Sequence, residues 1–396
     1  MKLDLKGKLD MYKNNKAEAP HKQKVVGPDT GDVLGGDVCS NDDGSFFLIE
    51  NRYPATYLHG GYSLGEALKI GRTSLGCISP ELESCTGVMD FLFLDTETTG
   101  LSGGAGTVAF LIGAGFFEED VFVLRQYFMR DYDEEPAMIR SFNELLSNFK
   151  GLATFNGKAF DWNLLQDRFN FNRIRPALPN PLHLDLLFPS RRIWRLKLES
   201  CRLVSLEENI LGEYRVDDIP GALIPSVYFK YLEDRDATDI KKVIRHNESD
   251  ILSMVSLLTR ISGMLENPFS ETDGECELVG VGRIFEDRGE YDIMLNCYEA
   301  CMKSDINTVK DTAAKKLSGI YKRNRDYARA VEHWEKMASE PGSLSVFPLI
   351  ELAKYYEHKE KDIPRALELV EKALKLGSRM GYCNNAYHRE LMKRLD

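Results

Sequence analysis

The pattern of apolar and polar positions divides the chain into stretches of different character. Residues 1–45 are polar, rich in Lys, Asn, Asp and Gly, and are expected to be poorly ordered. Phe46-Phe47-Leu48-Ile49-Glu50 reads as a strand that opens an N-terminal extension over 46–88, packed on the core. From Phe91 the pattern sharpens. Apolar runs at 91–94, 107–117 and 121–128, separated by Gly-rich or acidic turns, predict three adjacent antiparallel strands. A helix over roughly 134–149, a strand at 152–155, a helix near 160–170 and a strand at 182–187 follow. Ser205 with Glu208 three later has the capping-box spacing and starts a helix that Gly212 ends. A strongly periodic helix then runs from about Asp239 to Ile261. Strands that give way to alternating strand and helix imply one mixed sheet covered by helices, over 89–268.

After Pro268 the character changes again. ETDGECE at 271–277 reads as an acidic, turn-prone linker, and beyond it helical pairs recur with a period near 36 over 278–396. Val281, Phe285, Tyr291, Met294 and Tyr298 align with Leu317, Tyr321, Tyr327, Ala330 and Trp334. Leu317, Tyr321 and Ala330 recur as Leu352, Tyr356 and Ala366. This helix–turn–helix periodicity resembles tetratricopeptide repeats, in a degenerate form. Such a stack binds a protein partner or braces its neighbouring domain.

Four acids carry the chemistry. Asp95 and Glu97 end the apolar run Phe91-Leu92-Phe93-Leu94, and on a strand residues two apart share a face. Paired carboxylates in an apolar setting repel each other unless protonated or neutralised by a cation, and hard divalent ions prefer carboxylate oxygens. Asn156 and Asp161 flank the turn after Leu152-Ala153-Thr154-Phe155, with Asp161 in the first turn of the next helix. His246 and Asp250, four apart, lie on one helical face.

In this order and on these elements, D-x-E, N-x-x-x-F-D and H-x-x-x-D resemble the three motifs of the DEDD 3′–5′ exonuclease superfamily. More narrowly, the stretch from about Phe46 to Ile261 resembles the YprB-type ribonuclease H-like proteins, which are predicted exonucleases. The strings that carry this are LDTETTGLSGGAGTVAFLIG, TFNGKAFD, HLDLLFPSRRIWRLKLESCRLVSLEENILG and RHNESDILSM. The resemblance implies an α/β ribonuclease H-like mixed sheet flanked by helices, followed by an all-α tetratricopeptide-like repeat domain. It also implies metal-dependent hydrolysis of phosphodiester bonds in DNA or RNA by a two-metal-ion mechanism. Asp95, Glu97, Asp161 and Asp250 take the ligand places for two Mg²⁺ or Mn²⁺ ions. Asn156 and Asp185 are supporting candidates. Members with a catalytic histidine usually place four residues between it and the last Asp; here there are three, the spacing of members with a tyrosine. His246 then orients or deprotonates the attacking water, or simply hydrogen-bonds beside Asp250. Two other readings stay open: a ribonuclease H-like endonuclease, and an inactive nuclease-like module that binds nucleic acid and recruits a protein through its repeats.

Composition limits the setting. A net charge of −11 argues against a protein that coats nucleic acid indiscriminately. Charge is nonetheless unevenly spread: Arg168, Arg173, Arg175, Arg191, Arg192, Arg195, Lys197 and Arg202 face only Asp185 and Glu199 over that stretch. Arg191, Arg192, Arg195, Lys197 and Arg245 are candidate phosphate contacts, unless they serve as ordinary ion pairs. Trp194 stacks on a base or buries in the core. Ser102 to Gly106 is a hairpin turn or a place where a substrate backbone approaches closely. No apolar run approaches the roughly 20 residues needed to span a bilayer, and eight cysteines without a CxxC pair fit a reducing cytoplasm.

Overall fold

The computed structural model describes residues 30–100, 106–339 and 345–379, which form two compact units. The first unit takes in the chain through Thr56, then Phe91–Pro181 and Tyr214–Leu252. Its sheet is built from β1 (Asp37–Asn41), β2 (Gly44–Pro54), β3 (Phe91–Thr98), β4 (Ala109–Glu118), β5 (Val121–Phe128) and β6 (Gly151–Thr154), in the order β1-β2-β5-β4-β3-β6. Every neighbouring pair is antiparallel except β3 with β6. The mixed sheet expected from the sequence is therefore present, with the helices α1 (Glu135–Leu146), α2 (Asp161–Phe171), α3 (Ile224–Asp234) and the first half of α4 (Ile240–Glu266).

Leu92, Leu94, Ile112, Ala114, Val123 and Tyr127 enter one fully buried cluster with Met138 and Phe142 of α1 and Leu165 and Phe169 of α2. In α3, Tyr228 stacks flat on Phe110 of β4, ring centroids 4.0 Å apart. Gly113 and Gly115 of β4 leave room for α4. A methyl group on Gly113 would sit 2.2 Å from Asn247 Oδ1, and one on Gly115 would sit 2.6 Å from Ile251. Asn247 and Ile251 are one helical turn apart, so the two glycines form a shallow channel for one face of α4.

Several details depart from the sequence reading. Residues 30–45 are not featureless: Thr30–Leu34 is helical and β1 adds an edge strand on β2. The strand expected at 46–50 is longer, as β2, and belongs to the sheet itself, because Phe46, Phe47 and Ile49 bury against it. Ser205 is no N-cap: the helix Leu203–Leu206 starts after Arg202, and Ser205 Oγ donates to the Ser200 carbonyl. Gly212 does end that segment, with φ +68°. The glycine-rich loop Ser102 to Gly106 lies almost wholly outside the described residues.

The second unit comprises Tyr57–Asp90, Leu182–Glu213 and the described chain from Ser253. It holds the short strand Leu182–Asp185, the helix Leu187–Trp194 and an all-helical region: α5 (Glu275–Arg288), α6 (Tyr291–Cys301), α7 (Asn307–Arg323), α8 (Tyr327–Ser339), α9 (Phe347–Tyr355) and α10 (Ile363–Arg379). The repeated positions Val281, Phe285, Met294, Tyr298, Leu317, Tyr321, Ala330, Trp334, Leu352, Tyr356 and Ala366 are all buried, whereas Tyr291 is exposed. Glu277, within the stretch read as an acidic linker, is completely buried in α5. It accepts from Trp194 Nε1 at 3.0 Å, Lys197 Nζ at 2.7 Å and the Asp273 amide at 2.7 Å. A buried carboxylate requires such donors, which is why this acid is structural.

Candidate metal and active site

The parallel pairing of β3 with β6 brings two distant acid-bearing segments to one end of the sheet. Phe91, Leu92 and Phe93 pair with Gly151, Leu152 and Ala153, so both strands run toward the same edge. There β3 continues into Asp95 and Glu97, while β6 turns into α2 and Asp161. That turn needs Asn156 in a left-handed conformation at φ +70°, which asparagine tolerates better than most residues. It also needs Gly157, where a methyl group would lie 2.7 Å from Thr154 Cβ and 2.8 Å from Asp161 Oδ2. Thr96 Oγ1, from between the two β3 acids, donates to Asp161 Oδ1 at 2.5 Å. The β3–β4 ladder is irregular just after Glu97, where Thr98 pairs with Ala109 and Phe110 is skipped. Such bulges re-aim side chains at strand ends.

From the sheet face comes α4. Asp95, Gly113 and Gln126 lie in one row across three strands, and Asn247 settles on the glycine. Asn247 Nδ2 donates to Asp95 Oδ2 at 2.8 Å, and Gln126 Nε2 donates to Asn247 Oδ1 at 2.9 Å. This fixes α4 in rotation, so that His246 and Asp250 face Glu97. His246 Nε2 lies 4.0 Å from Glu97 Oε1 and 3.7 Å from Asp250 Oδ2. One ligand atom each from Glu97, His246 and Asp250 falls within a 4.8 Å cluster.

The electrostatics match a site made for cations. Burial, followed by the charges of Asp250, Asp161 and Glu97, raises the Asp95 carboxyl well above the usual range, against the lowering effect of the Asn247 hydrogen bond. Burial, Asp250 and Asp161 raise Glu97 likewise, with Arg215 opposing. Buried carboxylates that also disfavour one another's ionisation, next to an imidazole nitrogen, are a donor set suited to a hard divalent ion.

Three neighbours carried no sequence motif. Arg215, with its side chain only 8% exposed, donates from Nη2 to Asp250 Oδ1. Asp218 Oδ1 lies 2.8 Å from His246 Nδ1. Asn247 sits beside His246 in RHNESD but reads there as an ordinary helical residue. The Arg215-Val216-Asp217-Asp218 loop has no periodicity or spacing that would mark it.

Several of the remaining expected residues have other partners within their own units. Asp185 Oδ1, in the second unit, accepts the Leu187 amide at 3.1 Å. Lys197 is held by Glu277, and Arg192 pairs with Asp287 at 2.6 Å. Trp194 is fully buried, the second of its two sequence readings. Arg168 makes a buried bidentate pair with Glu135, both contacts 2.6 Å. Arg191, Arg195 and Arg245 are exposed.

Comparison with known proteins agrees with the fold. Residues 92–262 match the model of the RNase_H superfamily. A protein of Bacillus subtilis (strain 168), called "Uncharacterized protein YprB", is 32% identical over 389 residues, 94% of either chain. The chain belongs to the YprB family. Its ribonuclease H superfamily match contains Asp95, Glu97, Asp161, His246 and Asp250, and also Arg215, Asp218 and Asn247. Among the described residues no helix is long and apolar enough to cross a membrane.

Proposed function

We propose that the protein is a metal-dependent nuclease of the DEDD type, removing nucleotides from 3′ ends of DNA or RNA. What supports this reading is the cluster of Glu97, His246 and Asp250, with burial first and then the charges of neighbouring acids, Asp161 among them, raising the Asp95 and Glu97 carboxyls. Asp95, Glu97, Asp161 and Asp250 would hold Mg²⁺ or Mn²⁺, in two ions, with His246 beside them. Bound there, the ions would supply Lewis-acid stabilisation of the charge that builds on the phosphoryl oxygens.

The chain's own groups do the rest. His246 Nε2 faces the acids and accepts a proton from the attacking water. Thr96 and Asn247 hold the Asp161 and Asp95 carboxylates in fixed orientations through donated hydrogen bonds. Exposed Arg245, one residue before His246, contacts substrate phosphate without reading sequence. The helical pairs of α5 to α10 resemble tetratricopeptide repeats and are assigned to a protein partner. None of the seven described cysteines is joined in a disulfide, and a reducing cytoplasm is the setting assigned to the protein.

The test is incubation of 5′-labelled single- and double-stranded DNA and RNA with Mg²⁺ or Mn²⁺, and with chelator. A metal-dependent ladder of single-nucleotide steps is expected. Discrete internal cuts would instead mean an endonuclease, and absence of cleavage on every substrate would leave a binding module.

A further inference from the structure

The Arg215-Val216-Asp217-Asp218 loop grips both functional residues of α4. Arg215 and Asp218 are three apart, and their side chains are 3.5 Å from each other. Arg215 Nη2 takes Oδ1 of Asp250, while Asp218 Oδ1 lies 2.8 Å from Nδ1 of His246. The same imidazole nitrogen also has Arg215 Nη1 at 3.2 Å. These two neighbours make opposite demands. Arginine has only N–H donors and would require Nδ1 to be an acceptor, whereas an ionised aspartate only accepts and requires Nδ1 to carry the proton. Both contacts involve an ionised group, so charge does not separate them, but the one to Asp218 is shorter, 2.8 Å against 3.2 Å. Arg215 meanwhile has Asp250 and Asp218 as acceptors and does not need the imidazole.

We infer that Asp218 is a positioning residue that holds His246 as the Nδ1–H tautomer, leaving the Nε2 lone pair open toward Glu97 and Asp250. The inference rests on the nuclease reading only for what Nε2 then does. A neutral imidazole has one donor and one acceptor nitrogen, and the bond made by one settles the role of the other. With the proton on Nδ1, Nε2 is an acceptor 4.0 Å from Glu97 Oε1 and 3.7 Å from Asp250 Oδ2, able to meet a metal ion or a water proton. With the proton on Nε2 that capacity is lost and a donor points at the acids instead. Arg215, by occupying Oδ1 of Asp250, leaves Oδ2 as the oxygen nearest the imidazole. The loop thus selects one atom on each of two α4 side chains for the shared site.

Nitrogen-15 spectroscopy of metal-free, histidine-labelled protein, at a pH where the ring is neutral, reads the tautomer directly. The His246→Gln variant assigns the signal. The proton-bearing nitrogen is expected to be Nδ1 in the wild type and in Asp218→Asn, whose amide oxygen still accepts, and to shift toward Nε2 in Asp218→Ala. An Nε2–H tautomer in the wild type, or an unchanged one in folded Asp218→Ala, would overturn the assignment. Because the tautomer is read without substrate or metal, a wild type that fails to cleave would count against the nuclease reading and not against the role of Asp218.

Discussion

Asn247 reaches across the sheet to Asp95 because Gly113 has no side chain. Nδ2 of the asparagine donates to Asp95 Oδ2 at 2.8 Å, and its oxygen takes Gln126 Nε2 at 2.9 Å. One buried amide therefore orients the first acid of the site and fixes the helix that carries the last. Asn247→Ala leaves a buried carboxylate short of a donor and a buried glutamine short of an acceptor. Stability should fall by about 1–3 kcal/mol, measured by urea unfolding. A variant as stable as the wild type would show that the contact is incidental.

Gly113→Ala tests the same contact from the sheet side. The added methyl group would lie 2.2 Å from Asn247 Oδ1 and 2.5 Å from Ile251, both attached to a packed helix. Overpacking of this kind costs roughly 1–3 kcal/mol, and displacing Asn247 should also weaken divalent-ion binding. Gly319→Ala, where a methyl group meets no described residue within 4 Å, should weaken neither property.

The raised Asp95 and Glu97 carboxyls give the metal-free protein a pH dependence of definite sign. A group whose folded pKa lies above its unfolded value binds protons more tightly when folded. The contribution of these two acids is thus fully present below the ordinary carboxylate range and lost as pH rises through the raised folded values. A bound divalent ion offsets that loss. The rise in melting temperature on adding Mg²⁺ or Mn²⁺ should therefore be larger at about pH 8 than at about pH 5. An equal rise at both would argue that the ion binds elsewhere.

Arg168 separates structural cations from candidate substrate contacts. Its guanidinium and the Glu135 carboxylate are both nearly inaccessible, with side chains 4% and 5% exposed. Arg168→Met strands the carboxylate and should cost about 3–5 kcal/mol of stability. Arg245→Ala, at an exposed position, should stay within about 0.5 kcal/mol of wild type and raise KM for nucleic acid. A stable Arg168→Met protein would contradict the buried pair.

What the sequence revealed follows from which forces are local. The apolar run 91–94, the acids two apart after it and the four-residue step from His246 to Asp250 are properties of single elements, and each survives folding. The apolar positions of the helical region are legible for the same reason, since Val281 and Leu317 each bury within a single helix. Arg215, Asp218 and Asn247 were not legible. Their parts depend on a loop meeting a helix and a helix meeting a glycine on a strand, which no spacing records. The basic stretch misled in part because burial decides what a cation does: Arg168 and Lys197 face Glu135 and Glu277, acids 33 and 80 positions away. Gly113 and Gly115, two apart in an apolar strand, were the one signal that a helix face lies close.

Anomalous diffraction from crystals grown with Mn²⁺ addresses the central claim most directly. Manganese peaks coordinated by Asp95, Glu97, Asp161 and Asp250, and lost in Asp95→Ala crystals, are the predicted result. Manganese bound only elsewhere, with those four carboxylates free of it, would contradict the account.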